Sequence, residues 1–85
     1  MIVATADTHA IIWYLYNDKR LPDTVKRFVR ATSENGHQIG IATIALVEIV
    51  YLSEKGRIPA QAPLIVINAL RESQSVWAEI PLFFP

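Results

Sequence analysis

Ile2-Val-Ala-Thr-Ala-Asp7-Thr-His9 is the stretch from which the rest of the chain can be read. A short apolar, β-branched run ends in one carboxylate, and Ala10-Ile-Ile-Trp-Tyr-Leu-Tyr16 follows with helical character. The pattern predicts a buried strand over residues 2–6, a turn, and a helix over residues 9–16. Asp7 then stands at the carboxyl end of the strand, the edge at which open α/β sheets bind ligands. Asp7 or Thr8 capping the helix is the simplest role and requires nothing else of the chain. A catalytic role requires more acids at the same edge.

Composition narrows the classes. The 85 residues suffice for one small domain. A domain of this size buries only about 60–65% of its unfolded surface, so its core is small. A hydrophobic fraction of 52% excludes a disordered segment. Eight basic and eight acidic residues cancel, so any contact with RNA must come from a local patch rather than from overall charge. There is no cysteine, hence no disulfide framework and no thiolate metal site, which agrees with a cytoplasmic location. Asp7 and His9 interrupt the apolar start, so no signal segment is read there. The longest apolar runs fall well below the ~20 residues of a membrane span.

Outward from the first strand, elements alternate. The cluster Asn17-Asp18-Lys19-Arg20 ends the first helix. Pro22 opens a second, with Asp23 and Thr24 as candidate caps. Val25, Phe28 and Val29 form its apolar stripe, and Lys26, Arg27 and Arg30 lie mostly on the other side. Asn35-Gly36 stops it. Residues 38–42 read as a second strand. Thr43 is the expected N-cap of a third helix that reaches about Lys55 and is closed by Gly56. Pro59 and Pro63 introduce a fourth helix over residues 64–72, and residues 75–80 read as a third strand. Such alternation predicts an α/β fold with a parallel sheet covered on both faces.

The third helix carries the second acid. Ile44-Ala-Leu-Val-Glu48-Ile-Val-Tyr-Leu52 is apolar nearly all round, the signature of a buried helix, and Glu48 is its single charge. A buried carboxylate must be neutralised, paired or bound to a cation. Alone, Glu48 is most simply an acid that reaches water or an arginine. With Asp7 at the same sheet edge, two carboxylates converge as a hard cation such as Mg²⁺ or Mn²⁺ requires.

Ala6-Asp7-Thr8-His9-Ala10, then Trp13, Asp18-x-x-Leu21, Val47-Glu48-Ile49 and Lys55-Gly56-Arg57-Ile58 together resemble the PIN-domain nucleases, and among them the VapC-type toxins of bacterial toxin–antitoxin pairs. The resemblance spans nearly all of the chain. It implies a three-layer PIN-like fold and a metal-dependent endoribonuclease. Asp7 matches the family's first metal-binding acid and Glu48 its second, while Thr8 matches the polar residue that supports the site. It also implies Mg²⁺ or Mn²⁺ as cofactor, an RNA substrate, an antitoxin partner and pairing of two copies through helices. Two departures accompany it. Ala45 stands where the family has a Ser or Thr. The further acids of the family's second half have no counterpart, and Glu79 does not match their position. The ending Ile80-Pro-Leu-Phe-Phe-Pro85 is apolar where chain ends are usually polar. The expectation is a single partial domain, incomplete at its C-terminus, weakly active or inactive, with an open sheet edge that favours self-association.

Other residues receive plainer expectations. His9 is expected to pack at a helix end and His37 to be solvated. Lys26, Arg27 and Arg30 could meet RNA phosphate, although a charge cluster on a helix is usually a solvated face. Trp13, Tyr14 and Tyr16 are assigned to core and dimer surface. No GxGxxG follows the first strand, which removes a dinucleotide site. A non-catalytic module that binds an antitoxin or itself is the alternative function.

Overall fold

Local chemistry sets where the elements begin and end. The computed structural model describes residues 1–81. In chain order they form β1 (Ile2–Thr5), α1 (Thr8–Leu15), α2 (Asp23–Glu34), β2 (Gln38–Ala42), α3 (Thr43–Glu54), α4 (Ala62–Arg71) and β3 (Trp77–Ile80). Gly36 and Gly56 follow α2 and α3 with φ of +72° and +71°, a left-handed conformation that ends a helix without a Cβ penalty. Pro63 sits in the first turn of α4, where its missing N–H costs no helical hydrogen bond. The element order matches the one read from the sequence, with boundaries displaced by one or two residues.

Two cap assignments are corrected. The N-cap of α2 is Pro22, which has no capping side chain, so Asp23 is the first helical residue and supplies only a favourable charge in the first turn. The N-cap of α3 is Ala42. Thr43 begins the helix itself and turns its hydroxyl to β3, donating to Glu79 Oε2 at 2.7 Å and to the Ile80 carbonyl at 3.3 Å.

The three strands are parallel in the order β1-β2-β3. The chain thus crosses the sheet in one direction, and right-handed crossovers then lay both helix pairs on the same face. The packing agrees. Ile39 and Ile41 of β2, together with Trp77, share one core with Ile11 and Ile12 of α1, Val29 of α2, Ala45 and Ile49 of α3 and Ala62 and Val66 of α4. On the other face, Ile2 and Thr5 are exposed, Ala42, Ala78 and Ile80 are half-buried, and Gly40 alone is buried. The expectation of a sheet covered on both faces is therefore not met among the described residues: this is one layer of helices on one small sheet. Residues 82–85, most of the expected apolar tail, lie outside the described residues.

Burial differs from the sequence reading in two further places. β1 was expected to be a buried strand, yet it is an edge paired only with β2, and Ile2 and Val3 are 43% and 42% exposed. An apolar run reports a preference for burial, while the neighbouring strands decide whether a second side is covered. The same holds for α3. It buries Ala45 and Ile49 but leaves Val47 and Tyr51 more than half exposed, so it is not a buried helix. In α2, Val29 is buried as the stripe predicts, whereas Phe28 is 47% exposed.

Candidate functional site

Asp7 lies just beyond β1, at the carboxyl edge of the sheet, and is the N-cap of α1. Its Oδ1 accepts a hydrogen bond from the Ala10 backbone N–H at 2.8 Å. The capping role and an exposed carboxylate coexist: one oxygen is engaged by the helix end, and Oδ2 has no hydrogen-bond partner among the described residues. Ala6, immediately before it, donates its backbone N–H to the Gly40 carbonyl at 2.9 Å and so ties this corner to the central strand.

Glu48 projects from the second turn of α3. The expectation that it is buried is corrected: Glu48 is exposed, because α3 turns this side away from the core. No burial penalty therefore demands a partner for it. What the fold does provide is a cleft that Glu48 shares with Asp7. The two acids line one open cleft of about 680 Å³ with Thr5, Ala6, Thr8, Ala42, Val47 and Tyr51. Thr8, the first residue of α1, is buried in its wall. Ala45 is buried in the same wall.

The donor set suits a hard cation. Two carboxylates are sufficient for Mg²⁺, which keeps several waters and often takes only one or two protein oxygens beside a substrate phosphate. No group of three or more histidine, cysteine or acidic side chains able to hold a metal ion exists among the described residues. Glu79 does not join the cleft, since its carboxylate accepts the Thr43 hydroxyl across the β2–β3 pair.

The basic residues of α2 are not brought to the acids. Arg27 and Arg30 are exposed on that helix, and Lys26 donates to Asn17 Oδ1 at 3.4 Å. None of the three lines the Asp7–Glu48 cleft. The cationic groups close to Glu48 are others. A second cleft, of about 480 Å³, is lined by Glu48 together with His9, Trp13, Asp18, Arg20 and Arg57. Arg20 forms a bidentate pair with Asp18, through Nε to Oδ1 at 3.1 Å and Nη2 to Oδ2 at 2.7 Å. The hydrogen bonds from Arg20 hold the Asp18 carboxyl down to about pKa 2. Its guanidinium also lies 5.0 Å from the centroid of the Trp13 ring.

Among the aromatic residues, Trp13 and Tyr14 pack against the core, with Tyr14 edge-on to Trp77 at 5.5 Å between ring centroids, while Tyr16 is exposed. His9 is exposed with its ring 5.8 Å from that of Trp13, and His37 is exposed, both as expected. Arg20 and Tyr51 are cleft residues that sequence reasoning did not single out, and Arg57, quoted there as part of a resembling segment, was given no role. The signal for Arg20 was its place two residues from Asp18 after a helix, a spacing that permits a local ion pair. No helix of the described residues is long and apolar enough to cross a membrane. Comparison of the chain with family models, with curated proteins and with solved structures gives no match.

Proposed function

We propose that the chain is a PIN-like, VapC-type metal-dependent endoribonuclease unit, acting in the cytoplasm beside a cognate antitoxin, with Asp7 and Glu48 as the cation ligands. The observation that carries this reading is that two acids about forty residues apart in sequence line one cleft at the carboxyl edge of a parallel sheet. A sheet edge of this kind is where α/β folds bind their ligands.

The chain's own residues divide the work. Asp7 is held by the α1 N-terminus through one oxygen, and its other oxygen is the one left for a cation. Glu48 lines the same cleft from α3, and Thr8 is buried in its wall. A divalent cation held there supplies positive charge to a phosphodiester and lowers the pKa of water, which together favour in-line hydrolysis. Two carboxylates bind such an ion weakly, so turnover by this chain is expected to be slow. Mn²⁺ binding followed by electron paramagnetic resonance tests the assignment. One site that weakens at least tenfold in both Asp7→Asn and Glu48→Gln supports it, as does slow Mn²⁺-dependent cleavage of RNA lost in the same variants. Mn²⁺ binding unchanged in both variants overturns it.

A second reading, a non-catalytic binding module, is favoured by a different observation. Ile44, Val47 and Tyr51 on α3 and Leu64 on α4 are large apolar side chains, each more than half exposed. Contiguous exposed apolar surface marks protein contact sites, and pairing of two copies or binding of an antitoxin helix would cover it. Sedimentation that stays monomeric at high concentration would count against pairing of two copies.

A further inference from the structure

We propose that a single nucleic-acid strand leaves the acidic cleft across a ledge formed by Trp13, Arg20 and Arg57, with a base stacked on Arg20 and a phosphate held by Arg57. The proposal rests on the nuclease reading for its direction, but its residues belong to a separate surface. Glu48 is the shared wall: it lines the cleft that holds Asp7 and also the one that holds Trp13, Arg20 and Arg57. The proposal places the phosphate of one nucleotide beside the acids and the neighbouring nucleotide over this second cleft.

The ledge is pre-organised. Asp18 grips the Arg20 guanidinium with both carboxylate oxygens, and Arg20 Cζ lies over the Trp13 ring, 5.0 Å from its centroid. The Arg20 side chain remains 68% exposed, so its outer side is open to a flat partner. A fixed guanidinium plane backed by an indole is a stacking surface for a nucleobase, as in sites that bind single strands. Asp18 already offsets the charge of Arg20, so Arg20 serves as a plane more than as a phosphate anchor. Arg57 is exposed and enters no ion pair among the described residues, which leaves its charge available to a phosphate. A duplex keeps its base faces stacked inside, so this chemistry selects an unpaired segment.

Fluorescence anisotropy of a labelled ten-nucleotide oligouridylate, in EDTA so that no cation takes part, tests the ledge by itself. Arg57→Ala should weaken binding and lower the slope of log K against log salt by about 0.7, the share of one phosphate contact on a single strand. Arg20→Lys keeps the charge and removes the plane, and should weaken binding on the order of tenfold. Both residues are exposed, and circular dichroism verifies that the variants fold. Unchanged affinity in both variants overturns the proposal. So does equal binding of an abasic oligonucleotide of the same length, which would mark the groove as a site for an acidic chain without bases. Failure of the nuclease reading is separately visible, because it appears as Mn²⁺ binding indifferent to Asp7 and Glu48.

Discussion

Asp7 caps α1 through one oxygen, and the proposed cation-binding role, which would use the other, can be separated from capping by substitution. Asp7→Ala removes the acceptor that holds the Ala10 N–H, as well as the candidate cation ligand. Loss of such a cap costs about 1 kcal/mol, within a range of roughly 0.5–2 kcal/mol. For a domain of 85 residues, about 1 kcal/mol corresponds to a fall in Tm of about 4–8 °C. Asp7→Asn retains an oxygen acceptor of nearly equal capping strength, so its Tm should change by less than about 2 °C. The cation response follows the opposite logic. Mn²⁺ at a hundred times its dissociation constant raises native stability by about 2.7 kcal/mol, and both variants, weakened at least tenfold, should lose about half of that increment or more. Thermal unfolding followed by circular dichroism, with and without Mn²⁺, gives all the numbers required. Equal destabilisation by Ala and Asn would refute the capping account. A stabilisation by Mn²⁺ that survives in Asp7→Asn would refute the ligand account.

Two more outcomes are expected. Gly40→Ala places a methyl group against Ile80 Cδ1, 2.8 Å from Ile80 Cγ1 and 3.3 Å from Ile2 Cγ2. Overpacking of this kind costs about 1–3 kcal/mol, and the value should fall near the lower end because half-buried Ile80 can turn aside; an unchanged denaturation midpoint would count against the packing described for this face. The Asp18 carboxyl titrates at about 2 in the folded chain against an ordinary 3.8. A lowered value means that the pair with Arg20 stabilises the fold above pH 3.8 and that this contribution is lost as the pH falls towards 2. Carbon-detected NMR of the carboxyl should show that midpoint in the native chain and a return towards 3.8 in Arg20→Ala; the same midpoint in both would contradict the assigned cause.

The elements were legible because their limits are written in local chemistry. Gly36, Gly56 and Pro63 act through their own backbones, and Asp7 caps through a contact three residues away. Coverage was not legible, because it belongs to the arrangement of elements. Ile2 and Val3 look like core residues by composition but stand on an edge strand, and Val47 has no element packed over it. Nothing in the alternation of strands and helices states that the strands run β1-β2-β3, and that order is what gathers four helices on one face. The convergence of Asp7 and Glu48 on one cleft was inferred from the parallel sheet and agrees with it. The assigned burial of Glu48 failed for the same reason as that of α3. Arg20 was given no role because a cation in a polar segment looks like ordinary solvated surface, and Arg57 entered only as part of a resembling segment.

Asp7 follows a short edge strand. β1 has four residues, pairs on one side only, and its register slips between Ile2 and Ala4, while the Ala6–Gly40 hydrogen bond is the last rung before the acid. Short, one-sided ladders open at little cost. Warming should therefore pull the two acids apart while the interior around Ile41, Ile49 and Val66 is still intact. On the proposed cation reading, Mn²⁺ would then be released at a temperature below the one at which the chain unfolds.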